Sequence, residues 1–364
     1  HIAASVFLCV YTTKTGVYAM YRAFPEGHLW IAYMGGAMAV FGAAAALLQN
    51  DMRRLLSYHI QSQVGYMVAG VGIGSALAQA GAFGHVFNHI LYKSLLFMTA
   101  GAIVYRTGEE NLKYLGGLAR KMPVTAAAFT IAALSIAGFP GFNGFVSKGI
   151  VISASHYTFV KGPLAVGDFY TLELLLLVGG VGTFLSFIKF GYYAFLHGPY
   201  EGTPVTPAPR PQQVAMILVA GLCVFYGVFD GALFSLLPFD VTDETVVAHV
   251  YHTYTVPHVI EGVALAAIGL VGFAVLKKPL SKVGRVPDVD AAYNPLVFYG
   301  TRAVVHGVTE TYAAVDRVAV AAADRAGDVR EDPRMLSRYR ANIGGSIFIL
   351  MVVLGGVLAW LGLV

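Results

Sequence analysis

The stretch FGHVFNHILYKSLLF, residues 83–97, combines a long apolar run with three side chains that can carry a proton. His85, His89 and Lys93 are spaced four residues apart, which places them along one face of a helix. A charge at the centre of a bilayer costs at least ~2.5–3.5 kcal/mol, so such groups within a membrane span indicate function. The stretch therefore predicts a buried helix with one chemically active face.

The composition of the whole chain indicates a membrane protein. Of 364 residues, 57% are hydrophobic and 12% are charged, whereas soluble domains carry about 25% charged residues. The net charge of +4 is small and lies in loops, so it bears on topology and not on nucleic-acid binding. We therefore predict an all-α, polytopic membrane protein in contact with the lipid bilayer, with no nucleic-acid partner.

Apolar runs long enough to cross ~30 Å of hydrocarbon predict nine transmembrane helices. The region 123–158 is interrupted by AGFPGFNGF, residues 137–145, whose glycines and proline disfavour an unbroken helix. We read it as two half-helices joined by an unwound loop. The nine predicted spans are 2–24, 29–49, 55–78, 80–106, 123–158, 169–197, 212–236, 257–276 and 343–364.

The loops predict the orientation in the membrane. Nine spans put most of the basic loop residues on one side, and this side is therefore predicted to be cytoplasmic at the inner (plasma) membrane of the cell. Those residues are Arg53, Arg54, Arg106, Lys113, Arg120, Lys121, Arg210, Lys277, Lys278, Lys282 and Arg285. The opposite loops carry only Arg22 and Lys161 as basic residues.

Residues 291–327 have apolar and polar positions with a period near 3.6. The polar face is too rich for a span, so we predict an amphipathic helix that lies in the cytoplasmic interface or along neighbouring helices. A solvated cytoplasmic helix is the alternative. A charged link follows it, so 291–342 forms one segment before the final span 343–364.

A short internal repeat organises the remaining chain. KTGVYAMYR, from Lys14 to Arg22, and KFGYYAFLH, from Lys189 to His197, share a lysine, a glycine and a Tyr-Ala pair at the same spacing. Membrane transporters are often built from repeats with broken helices. We predict that 1–28 is the last helix of a first repeat, 29–197 a complete second repeat and 198–290 a set of additional spans.

Seven side chains within the predicted spans are candidates for proton transfer. Burial disfavours the charged form of lysine, and histidine exchanges protons near neutral pH. They are Lys14, His59, His85, His89, Lys93, Lys148 and Lys189. Alternatives stay open: a single histidine can be a packing residue, His59 can pack at a helix end, and Lys189 can reach the interface.

Acidic side chains are scarce in these spans. Glu173 and Glu261 lie near span ends and are expected to be interfacial. No phosphate loop, metal-ligand spacing or nucleophile motif is evident, so we predict no cofactor, no metal and no redox site. Any enzymatic role would be that of a translocase component.

The motifs resemble those of the proton-translocating antiporter-like subunits of Mrp-type multisubunit Na+/H+ antiporters and respiratory complex I. The matching stretches are TTKTGVYAMYR, NDMRRLLSYHIQSQVGYM, HVFNHILYKSLLF, LGGLARKMP and GFPGFNGFVSK, within residues 11–148. Two of them look closest to the D-type subunit of the Mrp-type antiporter. The chain starts at His1 without an initiator Met, and we expect an N-terminally truncated member.

The resemblance implies two inverted five-helix repeats, of which one is complete here. It places Lys14 as a bridging lysine, His85, His89 and Lys93 on a central relay helix, and Lys148 on the second broken helix. The family's essential glutamate and its first broken-helix lysine would precede His1. The implied partners are other membrane subunits of a hetero-oligomeric complex, together with protons and Na+.

Three functions remain possible at this point. The first is a subunit of a cation/proton antiporter that couples proton movement to Na+ export. The second is a proton-pumping subunit of an NADH:quinone oxidoreductase or a related respiratory or hydrogenase complex. The third is a membrane partner in a bicarbonate-uptake complex, against which the intramembrane lysines argue.

Overall fold

The computed structural model describes residues 2–158, 165–166, 169–202, 204–247, 249–282, 290–328 and 350–354. The chain divides into two compact units, 1–286 and 287–364. The predicted Lys161 and Arg285 lie outside the described residues, as do the charged link after residue 328 and most of the span 343–364. The predicted count of nine spans therefore stays a prediction.

The first unit is built almost entirely of helices, which confirms the all-α, polytopic class. The long helices are α1 (Ile2–Ala23), α2 (Leu29–Leu48), α3 (Met52–Ile73) and α4 (Ala76–Thr107). After a 3₁₀ turn, Leu112–Tyr114, come α5 (Leu118–Lys121), α6 (Pro123–Ala137) and α7 (Asn143–Thr158). A two-stranded hairpin, β1 (Ala165–Val166) and β2 (Phe169–Tyr170), leads to α8 (Thr171–Gly191) and its π-helical extension Tyr192–Leu196. The unit continues with α9 (Arg210–Val228), α10 (Asp230–Phe234) and α11 (Val256–Lys282).

Five described helices are both long and apolar enough to cross a membrane. They are Leu29–Leu48, Ala76–Thr107, Thr171–Leu196, Arg210–Val228 and Val256–Leu280. Helices α1 and α3 have 22 residues each, enough for ~30 Å at 1.5 Å per residue, but they contain more polar side chains. Helix α4 is central in the first unit, because it packs against α1, α3, α6, α7 and α9.

The predicted break in region 123–158 is confirmed. Helix α6 ends at Ala137 and α7 begins at Asn143. Gly138 and Gly141 in the connecting loop have φ angles of +86° and +92°, a backbone conformation that glycine adopts without steric cost. The chain can therefore turn twice between the two half-helices.

The second unit contains α12 (Asp290–Asp328), a single helix of 39 residues. It confirms that the amphipathic segment 291–327 is helical. Its valines are exposed within the described part of this unit, with 58% exposure at Val305 and 61% at Val315.

Glycines set the close packing of α2 against α3. They recur seven residues apart on each helix, as Gly35 and Gly42 on α2 and as Gly65 and Gly72 on α3. A Cβ atom at Gly35 would overlap the backbone of Ala69. Small residues allow membrane helices to approach at backbone distance, where van der Waals contacts stabilise them.

Replacing Gly35 with valine should therefore destabilise the protein. Overpacking of this kind costs at least about 1–3 kcal/mol, and we expect a lower midpoint of thermal unfolding for the Gly35→Val variant. Gly221→Val on α9 is the matched control, because nothing lies within 4 Å of a Cβ at that position. Equal midpoints for the two variants would contradict the assignment of the close helix contact to Gly35.

Candidate functional site

The face of α4 predicted to be chemically active is buried inside the helix bundle. His85, His89 and Lys93 each have 0% exposure, and so do Asn88 and Tyr92 on the same helix. Polar side chains without solvent access need partners within the protein or from bound water. The contacts of these groups therefore define what the site can do.

His85 is hydrogen-bonded through both ring nitrogens. Its Nδ1 lies 3.0 Å from Ser147 Oγ on α7, and its Nε2 lies 3.2 Å from the hydroxyl of Tyr92. Ser147 is the sequence neighbour of Lys148, so His85 links α4 directly to the segment that carries this lysine. Tyr92 follows His85 by seven residues and lies on the same helical face, a spacing from which it could have been found.

His89 and His59 have a different environment. Neither ring nitrogen of either residue has a hydrogen-bond partner within the described part of the protein. The His89 ring lies 6.4 Å from that of His85 and 5.4 Å from that of Tyr92, measured between ring centroids. His59 packs against Phe187 at 4.6 Å, a contact that fits the packing alternative while leaving both nitrogens available to water.

Lys93 and Lys14 are held by helix backbone. Lys93 Nζ donates to the carbonyl of Leu56 on α3 at 2.7 Å. Lys14 Nζ donates to the carbonyl of Cys9 at 2.6 Å and to Thr13 Oγ1 at 3.0 Å, both on its own helix. Lys14 is 8% exposed, so both ammonium groups lie inside the bundle.

Lys148 bonds to the end of the first half-helix. Its Nζ donates to the carbonyl of Ile136 at 2.7 Å, one residue before α6 ends. Carbonyls in the last turn of a helix lack intrahelical partners and form the negative end of the helix dipole. The break in the helix thus supplies a ligand for the lysine, and the ring of Tyr66 lies 4.7 Å from the same ammonium.

Lys189 makes the corresponding contact at the end of α2. Its Nζ donates to the carbonyls of Leu47 and Gln49, each at 2.8 Å. The residue has 0% exposure, so its ammonium group lies among the helices at the end of α2. Its ammonium is used inside the bundle to complete a helix terminus.

The four buried lysines have no carboxylate partner within the described part of the chain. The ion pairs found there are Arg53 with Glu110 at 2.9 Å and His156 with Glu173 at 3.0 Å. The lysines are bound by neutral carbonyl dipoles instead. Such partners stabilise an ammonium less strongly than a carboxylate does, so they leave loss of the proton within reach.

The two glutamates expected at the interface have more specific positions. Glu173 lies in the first turn of α8, is 6% exposed and contacts His156. Glu261 is half-buried and lines a small cavity beside Lys148. The sequence did not indicate this proximity, because Glu261 lies on a span more than one hundred residues away.

The fold and the buried cations together define a polytopic α-helical membrane protein with ionisable side chains inside the helix bundle. The family described as NADH:quinone oxidoreductase/Mrp antiporter, TM, matches residues 2–160. The match to this family model confirms, over these residues, the resemblance predicted from the sequence.

Individual relatives agree with the family match. The chain is 39% identical over 191 residues to the D-type subunit of the Na(+)/H(+) antiporter of Alkalihalophilus pseudofirmus, a match that covers 50% of this chain and 37% of that protein. The chain spans between 24% and 42% of the length of the first curated relatives that it matches.

Two solved complexes contain a chain of similar structure. A chain of the Mrp complex from Dietzia sp. is similar with a TM-score of 0.62 at 25% identity, over 99% of this chain and 37% of that chain. A chain of the membrane-bound sulfane sulfur reductase (MBS), an archaeal respiratory membrane complex, is similar with a TM-score of 0.60 at 25% identity. That match covers 97% of this chain and 63% of that chain.

Proposed function

We propose that this chain is a membrane subunit of a multisubunit monovalent cation/proton antiporter, in which it conducts protons coupled to Na+ export. The similarity to an Na(+)/H(+) antiporter subunit and to a chain of an Mrp complex supports the antiporter. The observation that carries proton conduction is the set of buried lysines that are bound to carbonyls and not to carboxylates.

The proposed path runs along α4 between Lys14 and Lys148. His85 bonds to Ser147, next to Lys148, and His89 and Lys93 follow on the same face. The ring centroids of His85 and His89 are 6.4 Å apart, too far for a direct hydrogen bond. Because both nitrogens of His85 have protein partners, water at His89 would reach His85 by way of the Tyr92 hydroxyl. The unpartnered nitrogens of His89 are suited to bind such a water.

Protons on neighbouring groups would repel one another in this dry environment. A proton on one group raises the free energy of protonating the next. The charge would therefore move stepwise and respond to charges in other subunits. Lys189, which ends the proposed second repeat 29–197, and His59, which faces Phe187, are further members of this relay in our proposal.

The partners and location follow from the same proposal. The chain would assemble with other membrane subunits in the inner (plasma) membrane, with its basic loops and α12 on the cytoplasmic side. The bias of basic residues toward one set of loops supports this orientation.

A respiratory complex is the second candidate function. The match to MBS covers 63% of that chain, a larger share than the 37% for the Mrp complex. The same relay would then be driven by redox chemistry in a partner subunit. Purification of the native complex separates the two candidates, because a respiratory assembly would contain redox subunits and an antiporter would not.

Substitution of Lys148 tests the proposed function. In the full-length complex, Lys148→Ala should abolish ion-coupled proton transport in proteoliposomes while assembly survives. Lys148→Arg should fail as well, because guanidinium does not release its proton. Lys121→Ala, at the exposed end of α5, is the control with unchanged transport. Full transport by Lys148→Arg would refute the role.

His89 should affect the rate of proton transport, because its imidazole ring can carry a proton. His89→Ala should slow transport more than His89→Gln, because glutamine retains hydrogen bonds that hold water although it cannot carry the proton. Proton uptake by proteoliposomes at equal assembly measures both. Wild-type rates from the double variant His85→Ala, His89→Ala would mean that these histidines only pack the core.

Helix α12 should bind partner subunits and the membrane without taking part in proton transfer. Its exposed valines need a covering surface, so acidic substitutions at Val305 and Val315 should lower the yield of intact complex. His306→Asp on the polar side is the control. If the valine variants assemble normally and alter the pH dependence of transport, the segment has been misinterpreted.

A further inference from the structure

A small cavity lies between α7 and α11 beside Lys148. Its volume is about 30 Å³, which is room for one or two water molecules. Polar groups from three helices line it together with apolar residues. The polar side chains at its wall include those of Lys148, Ser153, His258 and Glu261, and Gly180 of α8 also faces it.

Tight packing holds α11 against the broken helix. A Cβ at Gly262 would lie 3.0 Å from the ring of Phe145 and 3.1 Å from Pro140, so this glycine permits a close approach. Glu261 is the preceding residue. This residue lines the same cavity as Lys148, although no ion pair between the two is found within the described residues.

Exposure increases among the titratable groups from Lys148 toward the segment that precedes α11. Lys148 is 4% exposed, whereas Glu261 and His258 are half-buried and His252 is exposed. His258 lies two residues after the start of α11 at Val256. Its Nε2 is 3.4 Å from Ser153 Oγ, and its Nδ1 is 2.9 Å from the carbonyl of His252. Titratable groups therefore extend from Lys148 to the surface.

We propose that Glu261 and His258 form the connection through which Lys148 exchanges protons with the bulk solution at this end of α11. The inference rests on the proposed function, in which Lys148 carries a transported proton. The ammonium of Lys148 gives its proton to cavity water, and the Glu261 carboxylate accepts it to become a carboxylic acid. That proton then passes to solvent directly or by way of His258, and Glu261 returns to the carboxylate.

The connecting loops indicate which side of the membrane the connection through Glu261 and His258 serves. The start of α11 follows the loop that contains Asp240, Asp243 and Glu244, opposite to the basic loops. In the proposed orientation this loop faces away from the cytoplasm. The connection would therefore serve the non-cytoplasmic side, while the row on α4 supplies the lateral path.

Variants of Glu261 test the connection in proteoliposomes that contain the full-length complex. Glu261→Gln should lower the rate of proton transport about a hundredfold or more at equal assembly, in the range typical of a lost acid–base group. Glu261→Asp should retain most of the rate. Glu244→Gln, in the exposed loop, is the matched control and should behave as wild type.

Replacing Glu261 with histidine distinguishes two roles of this residue, that of a proton carrier and that of a fixed negative charge. Glu261→His retains a group that exchanges protons but removes the negative charge, so a carrier predicts a faster rate than that of Glu261→Gln. Equal rates for these two variants, or a wild-type rate for Glu261→Gln, would overturn the inference.

Narrowing the cavity gives a second test. A Cβ at Gly180 would lie 3.6 Å from Leu265 and from the hydroxyl of Tyr66, so Gly180→Ala fits without overlap while taking space from water. We expect at least about a twofold loss of rate if cavity water carries the proton. Gly221→Ala is the control, and an unchanged rate for Gly180→Ala would overturn the part assigned to the cavity.

The Lys148 variants in the same assay distinguish failure of the connection through Glu261 from failure of the proposed function. If Lys148→Ala is inactive and Glu261→Gln is fully active, the connection is wrong and the proposed function stands. If the wild-type complex itself transports no protons, the proposed function fails.

Discussion

The bonds between lysine ammonium groups and the carbonyls of helix ends are the interaction on which the rest of the site depends. Lys148 binds the carbonyl of Ile136, where α6 ends, and Lys189 binds those of Leu47 and Gln49, where α2 ends. Each contact satisfies a carbonyl that the helix leaves free and places a cation at the negative end of the helix dipole. Helix termini inside the bundle thus explain how Lys148 and Lys189 are accommodated without acidic partners, whereas Lys14 and Lys93 bind carbonyls within helices.

Backbone carbonyls are also suitable partners for a lysine that must gain and lose a proton. A carboxylate beside each lysine would hold the ammonium form, and a fully apolar site would exclude it. Carbonyl dipoles lie between these extremes, and the neutral amine can keep a hydrogen bond with them through its remaining N–H groups. The central position of α4 then connects the lysines, because its polar face reaches α3 through Lys93 and α7 through His85.

The sequence predicted those features that local chemistry determines. The glycines and proline of residues 137–145 indicated the break between α6 and α7, and the four-residue spacing of His85, His89 and Lys93 indicated their common face. Helix limits were predicted less well. Helix α3 begins at Met52 and not at 55, because Asp51 caps it by accepting a hydrogen bond from Arg54 N at 2.9 Å. Hydropathy alone excludes such charged first turns.

Contacts between distant spans could not be predicted from the sequence. The partners of His85 and Lys148, which are Ser147 and the carbonyl of Ile136, depend on how the half-helices fold back. The position of Glu261 beside the cavity depends on the packing of Gly262 against Pro140 and Phe145. Nothing in the pattern around Glu261 distinguishes it from a glutamate at a span end.

The proposed relay requires water that links buried groups which the protein itself leaves without partners. A cryo-electron microscopy structure of the full complex, at a resolution that shows ordered water, would reveal such water. We expect ordered water at the nitrogens of His89, near the Tyr92 hydroxyl that bonds to His85, and in the cavity beside Lys148 and Glu261. Protein groups bonded to both His89 nitrogens, with apolar side chains filling the space between the two histidines, would contradict it.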